Sequence, residues 1–206
     1  MRTCAPMPVE TLRVEWNDGA QLEGAPGDRH ASGVLHVQPG ALDGRPVLRA
    51  WLGALLCAAA GTDKPVMLVG LDGSDACSFE LPRLARDEAR EQLRALTDLH
   101  AQGRGAPLPF FVRTSWTHAM ACAKALRKSG GAGASLDIGV FEKAAHQADS
   151  ENGFGAPGEF DNEAVCIAWR GRDLPGAADG ALALSLHRTA LAVFAHPARA
   201  LAEQFK

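Results

Sequence analysis

The 206-residue chain contains no tyrosine, so Phe and Trp supply every aromatic ring, and aromatics are only 6% of the sequence. Nor does any run approach the roughly 18 consecutive apolar residues that a membrane-spanning helix needs. The first residues, MRTCAPMPVETLRVEW, lack the apolar stretch of a secretory signal. There is no excess of positive charge. Lys and Arg number 21 against 24 Asp and Glu, a net charge of −3, whereas a dedicated nucleic-acid coat or basic arm is strongly basic. Disulfide and zinc frameworks are also missing from the spacing. The five cysteines (Cys4, Cys57, Cys77, Cys122 and Cys166) are odd in number and nowhere form CxxC. The expectation is a cytoplasmic protein with reduced thiols, no membrane partner, no metal and no cofactor.

Familiar catalytic motifs are absent too. Gly130, Gly131 and Gly133 are followed by Ala134, Ser135 and Leu136, without the Lys-Ser or Lys-Thr pair of a phosphate-binding loop. No GxSxG nucleophile elbow occurs. The seven histidines form no HxxxH pair and no Cys/His cluster along the chain, and His118 and His187, on predicted helices, read as satisfied or surface groups.

What is present is ordinary globular composition, 47% hydrophobic and 22% charged, enough to fold around a core. Residues 10–16 alternate at Leu12, Val14 and Trp16, a strand pattern, and Asn17, Asp18 and Gly19 signal a turn. Residues 24–31 read as a polar loop and 34–37 as a second short strand. Residues 45–61 are apolar almost all round, apart from a thin stripe at Arg45 and Arg49. With Pro46 in the first turn and Gly61 at the end, this is a buried helix. Residues 65–71 and 77–81 read as a hairpin joined through Asp72, Gly73, Ser74 and Asp75.

Residues 85–101 form an amphipathic helix with Ala85, Ala89, Leu93, Leu96 and Leu99 on one face, ended by Gly103 and Gly105. Pro107 and Pro109 keep the next segment extended, with Phe110 and Phe111 inserted into the core. Thr114 or Ser115 then caps a helix to about Lys128. A loop over 129–135, a short helix near 140–147 and a loop over 148–159 come next. Asp161 caps a short helix carrying Val165, Ala168 and Trp169, and residues 181–205 form a helix interrupted at Pro197. The order of elements predicts a single α/β (α+β) domain with a small mixed sheet flanked by helices.

Two features offer chemistry. Arg83, Arg86, Arg90 and Arg94 line one stripe of a helix, interleaved with Asp87, Glu88 and Glu91. Such a stripe suits phosphate or an acidic protein surface, or is a solvated face laced with ion pairs. Asp72 and Asp75 flank a hairpin tip, where Asp also serves turns, and Glu80 follows on the next strand.

Three segments carry a resemblance. ALDGRPVLRAWLGALL, LARDEAREQLRALTDLHAQGRGAPLPFFVRTSWTHA and AVCIAWRGRD, in this order over about residues 42–173, resemble the C-terminal part of RecC, the gamma chain of exodeoxyribonuclease V (the RecBCD helicase–nuclease). The resemblance implies that residues 1–206 are one RecC C-terminal-like domain, similar to the PD-(D/E)XK nuclease fold but without its catalytic residues. It implies a non-catalytic scaffold acting in double-strand-break repair with RecB-like helicase–nuclease and RecD-like helicase chains, and touching DNA within that complex. The candidates for contact with DNA or a partner chain are Arg83, Arg86, Arg90 and Arg94. The competing functions are a stand-alone metal-dependent nuclease using Asp72 and Glu80, or an orphan protein-interaction module. Against the nuclease, Leu81 and Pro82 stand where its lysine belongs, and the guanidinium of Arg83 does not deprotonate.

Overall fold

The computed structural model describes residues 7–8, 10–62, 64–72, 74–128, 158–170 and 180–204. The chain divides into two compact units, Met1–Asp98 and Leu99–Lys206. The expected α/β class holds: among the described residues two sheets, one antiparallel and one mixed, are accompanied by helices. Among the described residues, no helix is long and apolar enough to cross a membrane.

In the first unit, β1 (Leu12–Glu15) and β2 (Gln21–Gly24) make an antiparallel hairpin. Its turn is built as the sequence predicts: Asp18 accepts the Ala20 N–H at 3.0 Å, and Gly19 takes a φ of +83° that a side chain disfavours. The second sheet has the order β3 (Asp28–His30), β4 (Gly33–Ala41), β5 (Val66–Asp72), β6 (Asp75–Glu80). Its outer pairs are antiparallel, and β4 and β5 run parallel.

Two expectations need correction here. The polar stretch 24–31 is not all loop, because β3 lies within it. The strand at 34–37 continues to Ala41, and its register against β5 shifts between Val37 and Ala41. Pro39 sits in that shift and has no N–H to give a ladder, so the sequence reads as a stop where the chain makes a bulge.

Parallel strands need a crossover, here α1 (Gly44–Ala59). Asp43 caps it by accepting the Arg45 N–H at 3.0 Å. At the other end, Gly61 (φ +79°) donates to Ala58 O and Thr62 to Cys57 O, the paired bonds of a Schellman motif. The helix is buried as predicted: Val47, Ala50, Trp51 and Leu55 are at most 1% exposed, while Arg45 and Arg49 remain outside. Opposite it, β5 turns Val66 and Leu68 inward and β6 turns Phe79 inward, the period-2 alternation of a half-buried sheet.

The boundary between the units falls within α2 (Arg86–Gly105). Ala89 and Leu93 are its buried face. Gly103 does not end it: the helix runs through Gly103 and ends at Gly105, ahead of Pro107, whose ring disfavours helix at the residue before it.

The second unit holds α3 (Val112–Lys128), α4 (Glu163–Ala168) and α5 (Gly180–Gln204). The segment before α3 is irregular, as its prolines require, and Phe111 is buried. Its ring meets Phe160 edge-on at 4.9 Å and Trp169 at 5.4 Å between centroids, in a cluster with Ala183, Leu186 and Ala190. Trp116 packs edge-on against Phe194 at 5.3 Å.

Three expectations fail in this unit. Thr114 and Ser115 do not cap α3; they lie inside its first turn. Its orphan N–H groups go instead to Glu159, whose carboxylate accepts from Arg113 N at 2.9 Å, Thr114 N at 2.8 Å and Thr114 Oγ1 at 2.9 Å. A carboxylate also suits the positive end of the helix dipole. The cap of α4 is Asn162 rather than Asp161, and α5 continues through Pro197 without interruption. The loop at 129–135, the helix near 140–147 and most of the loop at 148–159 lie outside the described residues.

The crossover generates a paired prediction. Leu55→Ala removes a fully buried side chain from α1 and is expected to cost about 2–5 kcal/mol. Gly53→Ala should destabilise by about 1–3 kcal/mol, although Ala is the better helix former by roughly 1 kcal/mol. A Cβ at Gly53 would stand 2.3 Å from Pro26 O and 3.1 Å from His36 Nε2, and these two atoms are hydrogen-bonded to each other at 2.7 Å. Urea unfolding measures both; a stabilised Gly53→Ala protein would mean that α1 does not lie this close to the Pro26 loop.

Candidate functional site

Spacing alone puts Arg86, Arg90 and Arg94 on one face of α2, each four residues from the next. Arg83 is not on that helix. It precedes α2 and pairs with Glu80 through Nε at 3.1 Å and Nη2 at 2.9 Å. Arg86 reaches Ala59 O at the end of α1, 3.3 Å from its Nε. The next two turn onto the β1–β2 hairpin. Arg90 donates to Glu15 O and lies over the Trp16 ring, 6.0 Å from its centroid. Arg94 lies over the same ring at 5.8 Å and pairs with Asp18 at 2.8 Å and Asp98 at 3.5 Å.

The four arginines that the sequence puts on one stripe are therefore split. Arg83 and Arg86 are exposed, whereas Arg90 and Arg94 are half-buried against the N-terminal hairpin. The Ala20 N–H bonded to Asp18, with the Arg94 guanidinium beside it, holds the Asp18 carboxyl below its ordinary value. The Asp18 carboxylate is thus ionised at neutral pH. The acidic residues between the arginines, Asp87, Glu88 and Glu91, point to solvent.

The second candidate, the carboxylates of the β5–β6 hairpin, is decided by register. Asp72 pairs with Asp75 at one end, while Glu80 pairs with Met67 at the other. From Met67 to Asp72 is five steps of an extended strand, about 17 Å. A pair of catalytic metal ions lies only about 4 Å apart, so Asp72 and Glu80 do not converge on a shared ion. Leu81, next in line, donates its N–H to Val66 O at 2.9 Å, which extends the hairpin pairing to the base of β5.

The structure also brings together residues that the sequence leaves scattered. His118 and Cys122 lie four apart on α3, with Cys122 Sγ 3.6 Å from His118 Nε2. His187 on α5 places Nδ1 2.8 Å from the same His118 nitrogen. This corrects the expectation that no Cys/His cluster exists. Burial, with His187 adding to it, pushes His118 down to about 4, and burial also lowers His187 and raises the Cys122 thiol. Both rings are accordingly neutral at pH 7 and the thiol is protonated. The i, i+4 spacing of His118 and Cys122 was the only signal available in the sequence. Their partner His187 is 69 residues from His118, and no local pattern announces it.

Fold and site together define a mixed α/β protein in which half of a basic helix stripe is committed to holding its own N-terminal hairpin. The family model of the RecC C-terminal domain matches residues 1–123, and the chain belongs to that family. The match contains the first two of the three resembling segments, and the third lies beyond it. Comparison with curated proteins found no match.

The hairpin contacts are testable. Arg94→Ala should lower the unfolding free energy by no more than about 1 kcal/mol, since exposed ion pairs and cation–π contacts are each worth that or less. Its local effect should be clearer: amides of β1 and β2 should exchange hydrogen faster while those of α1 keep their protection. Unchanged exchange in the hairpin would show that Arg94 does not hold it.

Proposed function

We propose that this chain is a non-catalytic domain of an exodeoxyribonuclease V assembly, a RecBCD-type helicase–nuclease. In that role residues 1–206 act as one RecC C-terminal-like domain that associates with RecB-like and RecD-like chains in the cytoplasm and handles DNA within their complex during double-strand-break repair. The observation that carries this proposal is the family match over residues 1–123. A scaffold rather than a nuclease role is supported by the hairpin register, which separates Asp72 from Glu80, and by Leu81 and Pro82 at the position of the nuclease lysine. The net charge of −3 gives the isolated chain little attraction for a polyanion, which favours docking to protein first and contact with DNA within the assembly.

Of the four arginines, Arg83 and Arg86 are the exposed pair and, although tied to Glu80 and to the Ala59 carbonyl, are our candidates for partner contact; Arg90 and Arg94 are engaged with the N-terminal hairpin.

Co-expression with the RecB-like and RecD-like chains of the same source tests the proposal. The expected result is a stable complex that survives gel filtration. The double change Arg83→Glu and Arg86→Glu should weaken it about tenfold and flatten its salt dependence, as reversal of rim charges does, with the circular dichroism spectrum unchanged. A wild-type chain that associates with neither partner would refute the scaffold role, and an unaltered affinity in the double variant would remove these arginines from the interface.

A further inference from the structure

We infer that His118, Cys122 and His187 form a zinc site that ties α3 to α5. Among the described residues, these three side chains bring their ligand atoms within 4.8 Å of one another. A tetrahedral zinc ion bound at about 2.0–2.1 Å by nitrogen and 2.3 Å by sulfur places neighbouring ligands roughly 3.3 Å apart for two nitrogens and 3.6 Å for nitrogen and sulfur. Cys122 Sγ and His118 Nε2 already stand at 3.6 Å. His118 Nε2 and His187 Nδ1, at 2.8 Å, need to part by only about half an ångström, well within what a rotation of the half-buried His187 ring supplies.

The donor set chooses the ion. Two imidazoles and a thiolate suit zinc and exclude the hard cations magnesium and calcium, which take oxygen. As the S–Zn bond forms, Cys122 releases its thiol proton to solvent. The ligands come from two helices: His118 and Cys122 are fixed on adjacent turns of one face of α3, and His187 closes the set from α5. The fourth position faces a cavity of about 240 Å³ into which Cys122 and His187 open, walled by Ala119, Leu126 and Leu191 with Arg199 at its edge. A water or small anion can complete the tetrahedron there. The site does not depend on the proposed assembly role, and His187 lies outside the family match.

The test uses the full chain, purified without a polyhistidine tag and stripped with chelator. Zinc should bind with one ion per chain. Cobalt(II) should give tetrahedral bands with a thiolate-to-cobalt charge-transfer absorption that zinc abolishes. Cys122→Ser and His187→Gln should each weaken binding by at least the 10–100-fold that loss of a mere supporting contact brings, and Cys166→Ser, at an exposed thiol, should change nothing. No binding by the wild type, copper(I) binding without zinc, a cobalt spectrum lacking the thiolate band, or Cys122→Ser binding as tightly as wild type would each overturn the site. If a variant fails to fold by circular dichroism, the wild-type cobalt spectrum decides alone.

Discussion

The parallel pairing of β4 with β5 is the constraint on which the N-terminal unit depends. Two parallel neighbours cannot be joined by a tight turn, so the chain must leave the sheet, cross it as α1 and return. That crossing buries Trp51 and Leu55 against the sheet side and brings Gly53 so close to the Pro26 carbonyl that no other residue fits without displacement. Once β4 and β5 are set, the outer strands add as antiparallel hairpin partners. Since Val66, Leu68 and Phe79 must all face the same core, a slip of one residue in β6 would turn its apolar side outward. The register that keeps Asp72 and Glu80 at opposite ends of the hairpin is therefore enforced by hydrophobic burial, and that same burial separates the carboxylates a metal-dependent nuclease would need to bring together.

Charge is used in a similar economy. A helix face rich in arginine looks in sequence like an anion-binding surface. In the folded chain, half of it meets Trp16, Asp18 and the end of β1. Arginine does both jobs, since its long stem covers apolar surface while its planar head stacks on a ring and pairs with a carboxylate. Arg83, ahead of the helix, and Arg86, in its first turn, are the exposed ones.

Much of the first unit was legible because its signals are local. Pro46 and Gly61 bracket α1, its all-round apolar character declares burial, and alternation over residues 66–81 declares the hairpin. The same local logic misled where a single residue type dominated: Pro39 hid the continuation of β4, Gly103 suggested an early end to α2, and Pro197 an interruption of α5. In each case tertiary packing outweighed a propensity worth about 1–3 kcal/mol. What the sequence could not disclose is what depends on contacts distant along the chain. Glu159 caps a helix 45 residues before it, and His187 completes a cluster begun on α3. The arginine stripe shows both sides of this: periodicity gave the face, but only the folded hairpin shows which part of it is already occupied.

A non-catalytic role requires that the carboxylates of the β5–β6 hairpin do not work together. Incubating the purified chain with linear single- and double-stranded DNA, in Mg²⁺ or Mn²⁺ and without partner chains, tests this most directly. The predicted result is intact DNA. Metal-dependent cleavage that disappears in both Asp72→Ala and Glu80→Ala would contradict the scaffold role and establish a nuclease in its place.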